Sequence, residues 1–162
     1  MSDLPSLDAI KMEIQEMRRG SKGGYQRPHK LVMLLSVIEL VDRGLLTENK
    51  IYLEEPLITV FENYFNLVRK KDDWCQPGPP FFHLRSSGFW FHKIKPGREK
   101  DYAALSTTGG GVRLVQENID YAYLREDVFR AIQGAEARYE LRILITSLLN
   151  PDFDGDRPEI QF

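Results

Sequence analysis

Residues 27–40 read Arg-Pro-His-Lys-Leu-Val-Met-Leu-Leu-Ser-Val-Ile-Glu-Leu and form a strongly apolar run within a chain of 162 residues. Proline suits the first turn of a helix, because its missing N–H would be unpaired there in any case. The apolar run continues to Gly44, a residue type that commonly follows the last turn of a helix. The sequence therefore predicts a central buried helix that begins at Pro28.

Apolar residues that recur every three or four positions predict four further helices. They lie from Ser6 to Arg19, from Pro56 to Val68, from Leu124 to Gly134, and from Ala137 to Asn150. The three glycines between residues 20 and 26 predict a flexible loop before the central helix.

Alternating apolar residues predict a small sheet in the middle of the chain. Phe82 and Leu84 form one strand of an antiparallel hairpin, Phe89 to Ile94 form the other, and residues 112–115 add a third strand. The expected fold class is α+β, a mainly helical single domain with a small antiparallel β-hairpin or sheet. Residues 1–151 form this domain, and the acidic, aperiodic residues 152–162 form a tail or the start of a linker.

The composition narrows the function classes. Hydrophobic residues make up 42% of the chain and charged residues 28%, which is typical of one soluble domain. One cysteine, Cys75, and three scattered histidines cannot assemble a four-ligand zinc site, so we expect neither a metal nor a cofactor. The chain contains no apolar run of about 20 residues and no signal peptide pattern, so we expect no membrane contact and a cytoplasmic location.

The net charge of −2 conceals two segments that contain bases and no acids. Five bases lie between residues 17 and 38, and four lie between residues 74 and 98. All three histidines lie in the same two segments. Because local basic patches attract a polyanion more than total charge does, this distribution indicates an anion-binding face. A solvated polar surface explains either segment taken alone.

Two groups of donors are candidates for that face. Arg27, His29 and Lys30 surround a helix start, where unpaired N–H groups already favour a phosphate. His83 and Arg85 are two residues apart, so on the predicted strand they share a face and suit phosphate oxygens or a base edge. For this second pair, the solvated face of a hairpin remains an open interpretation.

Three motifs together resemble a known family. RPHKLVMLLSVIEL (27–40), PPFFHLRSSGFW (79–90) and LLNPDF (148–153) look like the DNA sulfur-binding domains at the N-termini of phosphorothioate-dependent, HNH-containing restriction endonucleases. The resemblance extends from about residue 20 to residue 153. It implies a reader of DNA in which sulfur replaces a non-bridging phosphate oxygen, with cleavage performed by a separate nuclease domain.

The resemblance also implies roles for individual residues. Pro28, together with Tyr25 and Pro80, is expected to contact the sulfur in an apolar pocket. By the same resemblance, Arg27, His29 and Lys30 are expected to hold the DNA backbone, with His83 and Arg85 on phosphate or bases. The first basic segment adds Arg18, Arg19 and Lys22 as further candidates for binding the backbone. Sulfur is larger and more weakly hydrated than oxygen, so an apolar cup flanked by cations suits this ligand. The expected partners are double-stranded DNA with phosphorothioate linkages and a fused or separate nuclease.

Three alternatives remain open at this point. In the first alternative, the chain reads a modified base or unmodified DNA and places Arg85 and the glycine loop in a groove. In the second, the chain is a protein-interaction module that binds its partner through Trp74 or Trp90. Least favoured is an enzyme in which His29 and His83 act with an acid, because the chain contains none of the common nuclease or hydrolase motifs.

Overall fold

Helices make up most of the structure, a computed structural model that describes residues 6–22, 25–70, 73–107, 111–150 and 157–160. The side chains of residues 21, 22 and 25 lie outside this description. In chain order the elements are α1 (Leu7–Glu16), β1 (Ser21–Lys22), β2 (Tyr25–Gln26), α2 (His29–Asp42), α3 (Leu57–Val68), α4 (Gly78–His83), β3 (Trp90–Ile94), α5 (Glu99–Ala104), α6 (Gly111–Asn118), β4 (Ile119–Leu124), α7 (Glu126–Ala131) and α8 (Ala135–Leu149). The predicted α+β class, mainly helical with a small antiparallel sheet, is confirmed.

Helix α2 is the centre of the core, as the apolar run predicts. Every residue from Leu31 to Leu40 is buried, and α3, α4 and α8 pack around the helix. Pro28 is the N-cap of α2 and accepts a hydrogen bond from the backbone N–H of Val32 at 2.9 Å. Because α2 is enclosed along its length, its first turn is held in a fixed position at the surface.

The segment between α1 and α2 contains a short hairpin where the sequence predicts a flexible loop. Gly20 has a φ of 74°, a left-handed conformation that glycine adopts without strain. Its carbonyl oxygen accepts a hydrogen bond from the N–H of Arg27 at 2.9 Å. Strands β1 and β2 pair antiparallel between these two residues, and residues 23–24 lie outside the described part of the chain. The hairpin returns the chain from α1 to the start of α2.

The predicted hairpin within residues 82–94 is wrong. Residues 78–83 form helix α4, and residues 84–87 continue it as a 3₁₀ turn. Pro79 and Pro80 occupy the first turn of α4, where their fixed φ angles suit a helix and their missing N–H groups cost nothing. The alternation of Phe82 and Leu84 is too short to distinguish a strand from a buried helical turn.

Strand β3 pairs instead with β4, antiparallel, from Trp90 opposite Leu124 to Ile94 opposite Ile119. The predicted third strand at residues 112–115 is also wrong, because these residues belong to α6. Leu124 ends β4, and the predicted helix therefore begins two residues later as α7. Gly78 lies so close to the start of α6 that an added Cβ would come within 3.1 Å of the Gly111 carbonyl carbon. This contact fixes α4 against α6.

The C-terminal segment is described only from residue 157 to residue 160. Here the guanidinium of Arg157 donates hydrogen bonds to Glu39, and Ile160 is buried in the core cluster. Arg157 and Ile160 therefore contact the domain, while residues 152–156 and 161–162 of the predicted tail or linker lie outside the described part of the chain.

Candidate functional site

A cleft of about 510 Å³ opens where the first turn of α2, the end of α1 and helix α4 meet. We call it the cationic cleft because most of its lining side chains are basic. Its lining residues are Arg18, Arg19, Gly20, Arg27, His29, Lys30, Gln76, Pro79, Pro80, His83 and Ser86. None of these described lining residues is acidic.

The structure brings together most of the residues that the sequence indicates. Seven of the eleven candidates line the cleft: Arg18, Arg19, Arg27, His29, Lys30, Pro80 and His83. The side chains of Lys22 and Tyr25 lie outside the description. Residues from the two acid-free segments, about 50 positions apart in the chain, therefore share one cleft.

Two candidates lie elsewhere. Pro28 is buried at the N-cap of α2 and does not line the cleft, so the structure gives it no direct contact there. Arg85 lies on the 3₁₀ turn rather than on a strand, so it does not share a strand face with His83. Its guanidinium stacks 4.0 Å from the Phe82 ring centroid and donates a hydrogen bond to the Leu105 carbonyl oxygen at 3.1 Å. Arg85 therefore packs toward α5, away from the cleft lining.

Lys30 has a structural role that its sequence position does not reveal. Its side chain is almost fully buried, with 9% of the residue exposed. The ammonium donates to the Arg18 carbonyl oxygen at 2.6 Å and to Ser86 Oγ at 3.2 Å. Ser86 in turn donates to the His83 carbonyl oxygen at 3.0 Å. Lys30 thus ties all three segments of the cleft together, and its charge lies beneath them.

His29 joins the first turn of α2 to the segment before α4. Its Nε2 lies 2.7 Å from the Trp74 carbonyl oxygen, so Nε2 carries the proton and donates it. The ring also packs on Phe65, with centroids 4.8 Å apart. Burial lowers the pKa of His29, an effect that the Trp74 bond and the charge of Asp73 partly oppose.

Burial and mutual repulsion lower the pKa values of two basic side chains in the cleft. Burial, followed by repulsion from Arg18, lowers the pKa of Lys30. Burial, followed by repulsion from Lys30 and Arg85, lowers the pKa of His83. Bringing like charges together in a partly desolvated site costs free energy that a bound anion would recover.

Arg19 has a buried donor atom, Nε, that faces no acceptor among the described residues. Burial lowers the pKa of its guanidinium. A buried donor that lacks an acceptor costs about 1–3 kcal/mol, so an oxygen-rich anion in the cleft would remove this cost.

An apolar surface lies beside these cations. Pro79 and Pro80 line the cleft from the first turn of α4, with Pro80 buried and Pro79 partly exposed. Sequence reasoning selected Pro80 but missed Pro79, Gln76 and Ser86. Pro79 stands next to Pro80 in the same motif, whereas the sequence carries no signal for Gln76 or Ser86.

The structure also bears on the alternatives. Trp90 is fully buried, and its indole N–H donates to the Phe81 carbonyl oxygen at 2.9 Å, so it is not available to a partner. Trp74 is 72% exposed. Within the described part of the chain, no group of three or more His, Cys, Asp or Glu side chains is placed to hold a metal ion.

No protein-family model matches the chain. A search of curated proteins gives no match either. Among the described helices, none has the length and apolar character needed to cross a membrane.

Proposed function

We propose that this chain is a non-catalytic reader of double-stranded DNA that carries phosphorothioate linkages. The observation that carries the proposal is a single cleft in which Arg19 has a buried, unpaired donor and two prolines stand beside the cations. The resemblance of the sequence motifs to sulfur-binding domains supports the same ligand. A separate nuclease, fused or recruited, would perform cleavage.

The cations account for binding to the DNA backbone. Arg18 and Arg27 are exposed at the mouth of the cleft, and neither side chain has a hydrogen bond or ion pair with the described residues. Such side chains suit the phosphates next to the phosphorothioate linkage, which we call the mark, because contacts with phosphate release counterions. Arg19 and His83 are more buried and suit the modified phosphate itself.

The prolines account for a preference for sulfur. A phosphate oxygen loses strong hydration when it moves against an apolar surface, whereas the softer sulfur loses less. Pro79 and Pro80 therefore favour sulfur over oxygen at equal charge. Replacing one non-bridging oxygen creates two diastereomers, and a proline surface on one side of the phosphate should distinguish them.

The decisive experiment compares duplexes that differ in one linkage. Fluorescence anisotropy should give a Kd at least tenfold lower for one phosphorothioate diastereomer than for the unmodified duplex. Binding is measured for both diastereomers and for the unmodified duplex at several salt concentrations. Equal Kd values for these three duplexes at every salt concentration would contradict sulfur recognition and leave only a general DNA-binding protein. The absence of salt-sensitive binding would contradict DNA binding altogether.

A charged side chain on the proline surface provides the matched mutational test. Pro79→Asp should abolish the preference for sulfur, because the carboxylate is hydrated and repels the phosphate. Pro96→Asp is the control, since Pro96 is exposed and does not line the cleft. Retention of full selectivity by Pro79→Asp would count against the proline surface as the sulfur contact.

A further inference from the structure

A second compartment opens next to the cationic cleft and shares Gln76, Pro79 and His83 with it. Its volume is about 500 Å³, close to the 510 Å³ of the cleft. Because three residues line both spaces, the second compartment lies directly beside the cleft. The function proposed above does not use this space.

The chemistry of the second compartment differs from that of the cleft. Its described lining includes Cys75, Thr107 and Val112 and contains no lysine, arginine or acid. Burial, followed by the charge of Glu62, raises the pKa of the Cys75 thiol. We therefore call this space the neutral compartment.

Neutral walls of this kind suit an uncharged group with flat faces and polar edges. Pro79 and Val112 provide apolar surface, while the Gln76 amide and the Thr107 hydroxyl provide donors and acceptors. A phosphate would lose hydration there without gaining a cation. A nucleobase and its sugar combine flat apolar faces with hydrogen-bonding edges.

Every phosphate in DNA is joined covalently to a nucleoside on either side. A phosphate held in the cationic cleft therefore brings a nucleoside close to the neutral compartment. We propose that the neutral compartment receives the base and sugar of the nucleotide next to the phosphate held in the cationic cleft, with that nucleotide turned out of the base stack of the duplex. This inference rests on the proposed function, since it assumes a backbone phosphate in the cleft. The cleft then reads the mark, and the neutral compartment reads the neighbouring nucleotide.

Cys75 offers a direct probe, because it is the chain's one cysteine and is partly exposed. N-ethylmaleimide labelling at mildly alkaline pH should be slowed about tenfold or more by a saturating modified duplex. A duplex that lacks the base on either side of the mark should restore labelling to nearly the free rate. Removal of a base ten pairs away is the control and should leave protection intact.

A bulky side chain in the compartment tests the same inference by affinity. Thr107→Trp should weaken binding of the modified duplex about tenfold, as expected when a base contact is lost. In the abasic duplex this variant should bind as well as the unaltered protein, because no base competes with the indole. Ser106→Trp is the matched control, since Ser106 is exposed and does not line the compartment.

The two proposals fail in different ways. If the modified duplex binds tightly while Cys75 is labelled at the free rate in the complex, the neutral compartment is empty. That result would contradict the inference about the neighbouring nucleotide and leave the sulfur-recognition proposal intact. If Thr107→Trp weakens the intact and the abasic duplex equally, the base does not occupy the compartment and the inference also falls. If modified and unmodified duplexes bind equally, the sulfur-recognition proposal fails instead.

Discussion

The ammonium of Lys30 lies 2.6 Å from the carbonyl oxygen of Arg18 and donates a hydrogen bond to it. This bond fixes the segment after α1 against the first turn of α2, while Ser86, on the 3₁₀ turn after α4, accepts a second hydrogen bond from the same ammonium. Lys30 therefore stabilises the arrangement of the cleft segments and also contributes positive charge to the cleft. Its neighbour Arg18 provides charge at the surface through its side chain and an anchor through its backbone.

Lys30→Met should lower both stability and DNA affinity. Loss of the ammonium removes the hydrogen bonds from a charged donor to the Arg18 carbonyl oxygen and to Ser86 Oγ, which costs about 1.5–3 kcal/mol. Urea unfolding should show this loss, and anisotropy should show weaker binding of the modified duplex. Arg18→Ala keeps the backbone carbonyl, so it should weaken binding without a measurable loss of stability. Equal stability of Lys30→Met and the unaltered protein would exclude the structural role.

Arg27→Ala should reduce the salt dependence of DNA binding. An exposed arginine that contacts one phosphate contributes about one unit to the slope of log K against log salt. The slope measured from 50 to 300 mM salt should therefore become shallower by about one. Arg130→Ala is the control because Arg130 pairs with Glu126 and does not line the cleft. An unchanged slope in Arg27→Ala would place this side chain away from DNA.

The protein should lose stability between pH 6.5 and pH 4 through His92. Its Nε2 donates to the Phe81 carbonyl oxygen at 2.9 Å, and its Nδ1 lies 2.8 Å from the Tyr102 hydroxyl. Burial lowers the pKa of His92 to about 4, so the folded state keeps the neutral ring while the unfolded state takes up a proton. Stability is then complete above pH 6.5 and falls as the pH approaches 4, by up to about 3 kcal/mol.

The free energy of unfolding is measured by urea unfolding at several pH values between 4 and 7, for the unaltered protein and for a variant that lacks the His92 imidazole. His92→Gln should be less stable at pH 7 but should flatten the change between pH 6.5 and pH 4 in urea unfolding. His29 and His83, whose pKa values are also lowered, contribute in the same direction. A profile as steep in His92→Gln as in the unaltered protein would show that His92 is not responsible.

Glu39→Gln should be strongly destabilising. Glu39 is fully buried on α2 and accepts hydrogen bonds from Tyr64, Arg142 and Arg157. Burial raises its pKa, but the hydrogen bonds from these partners and from Arg43 outweigh burial and bring the pKa to about 2. Removing the carboxylate leaves Arg142 with less compensation, at a cost of about 3–5 kcal/mol. Glu126→Gln, at an exposed pair, should change the free energy of unfolding by about 0.5 kcal/mol or less.

Trp74 should report DNA binding through its fluorescence. It is 72% exposed and its carbonyl oxygen accepts a hydrogen bond from His29, which lines the cleft, whereas Trp90 is buried in the core. Saturating modified DNA should therefore quench the emission of Trp74 and leave that of Trp90 unchanged. Trp74→Phe should remove the signal while anisotropy still detects the complex. A binding signal that persists in Trp74→Phe would show that DNA reaches or disturbs the environment of Trp90.

Several features follow from the sequence alone. The apolar run from Leu31 to Leu40 specifies a buried helix under any packing, because only the core can accept a helix that is apolar on every face. The two acid-free segments identify where the cations and histidines of the cleft lie. Pro28 and Gly44 mark the limits of α2 to within two residues.

Only the tertiary structure decides what these residues do. The ties within the cleft join residues 12, 45 and 56 positions apart, and no local pattern records such distances. The two-residue alternation around Phe82 predicts a strand, yet packing against α2 and α6 makes it a helix and turns Arg85 away from His83. Periodicity reports which residues are buried, but the position of one segment against another depends on long-range packing, which a short pattern does not determine.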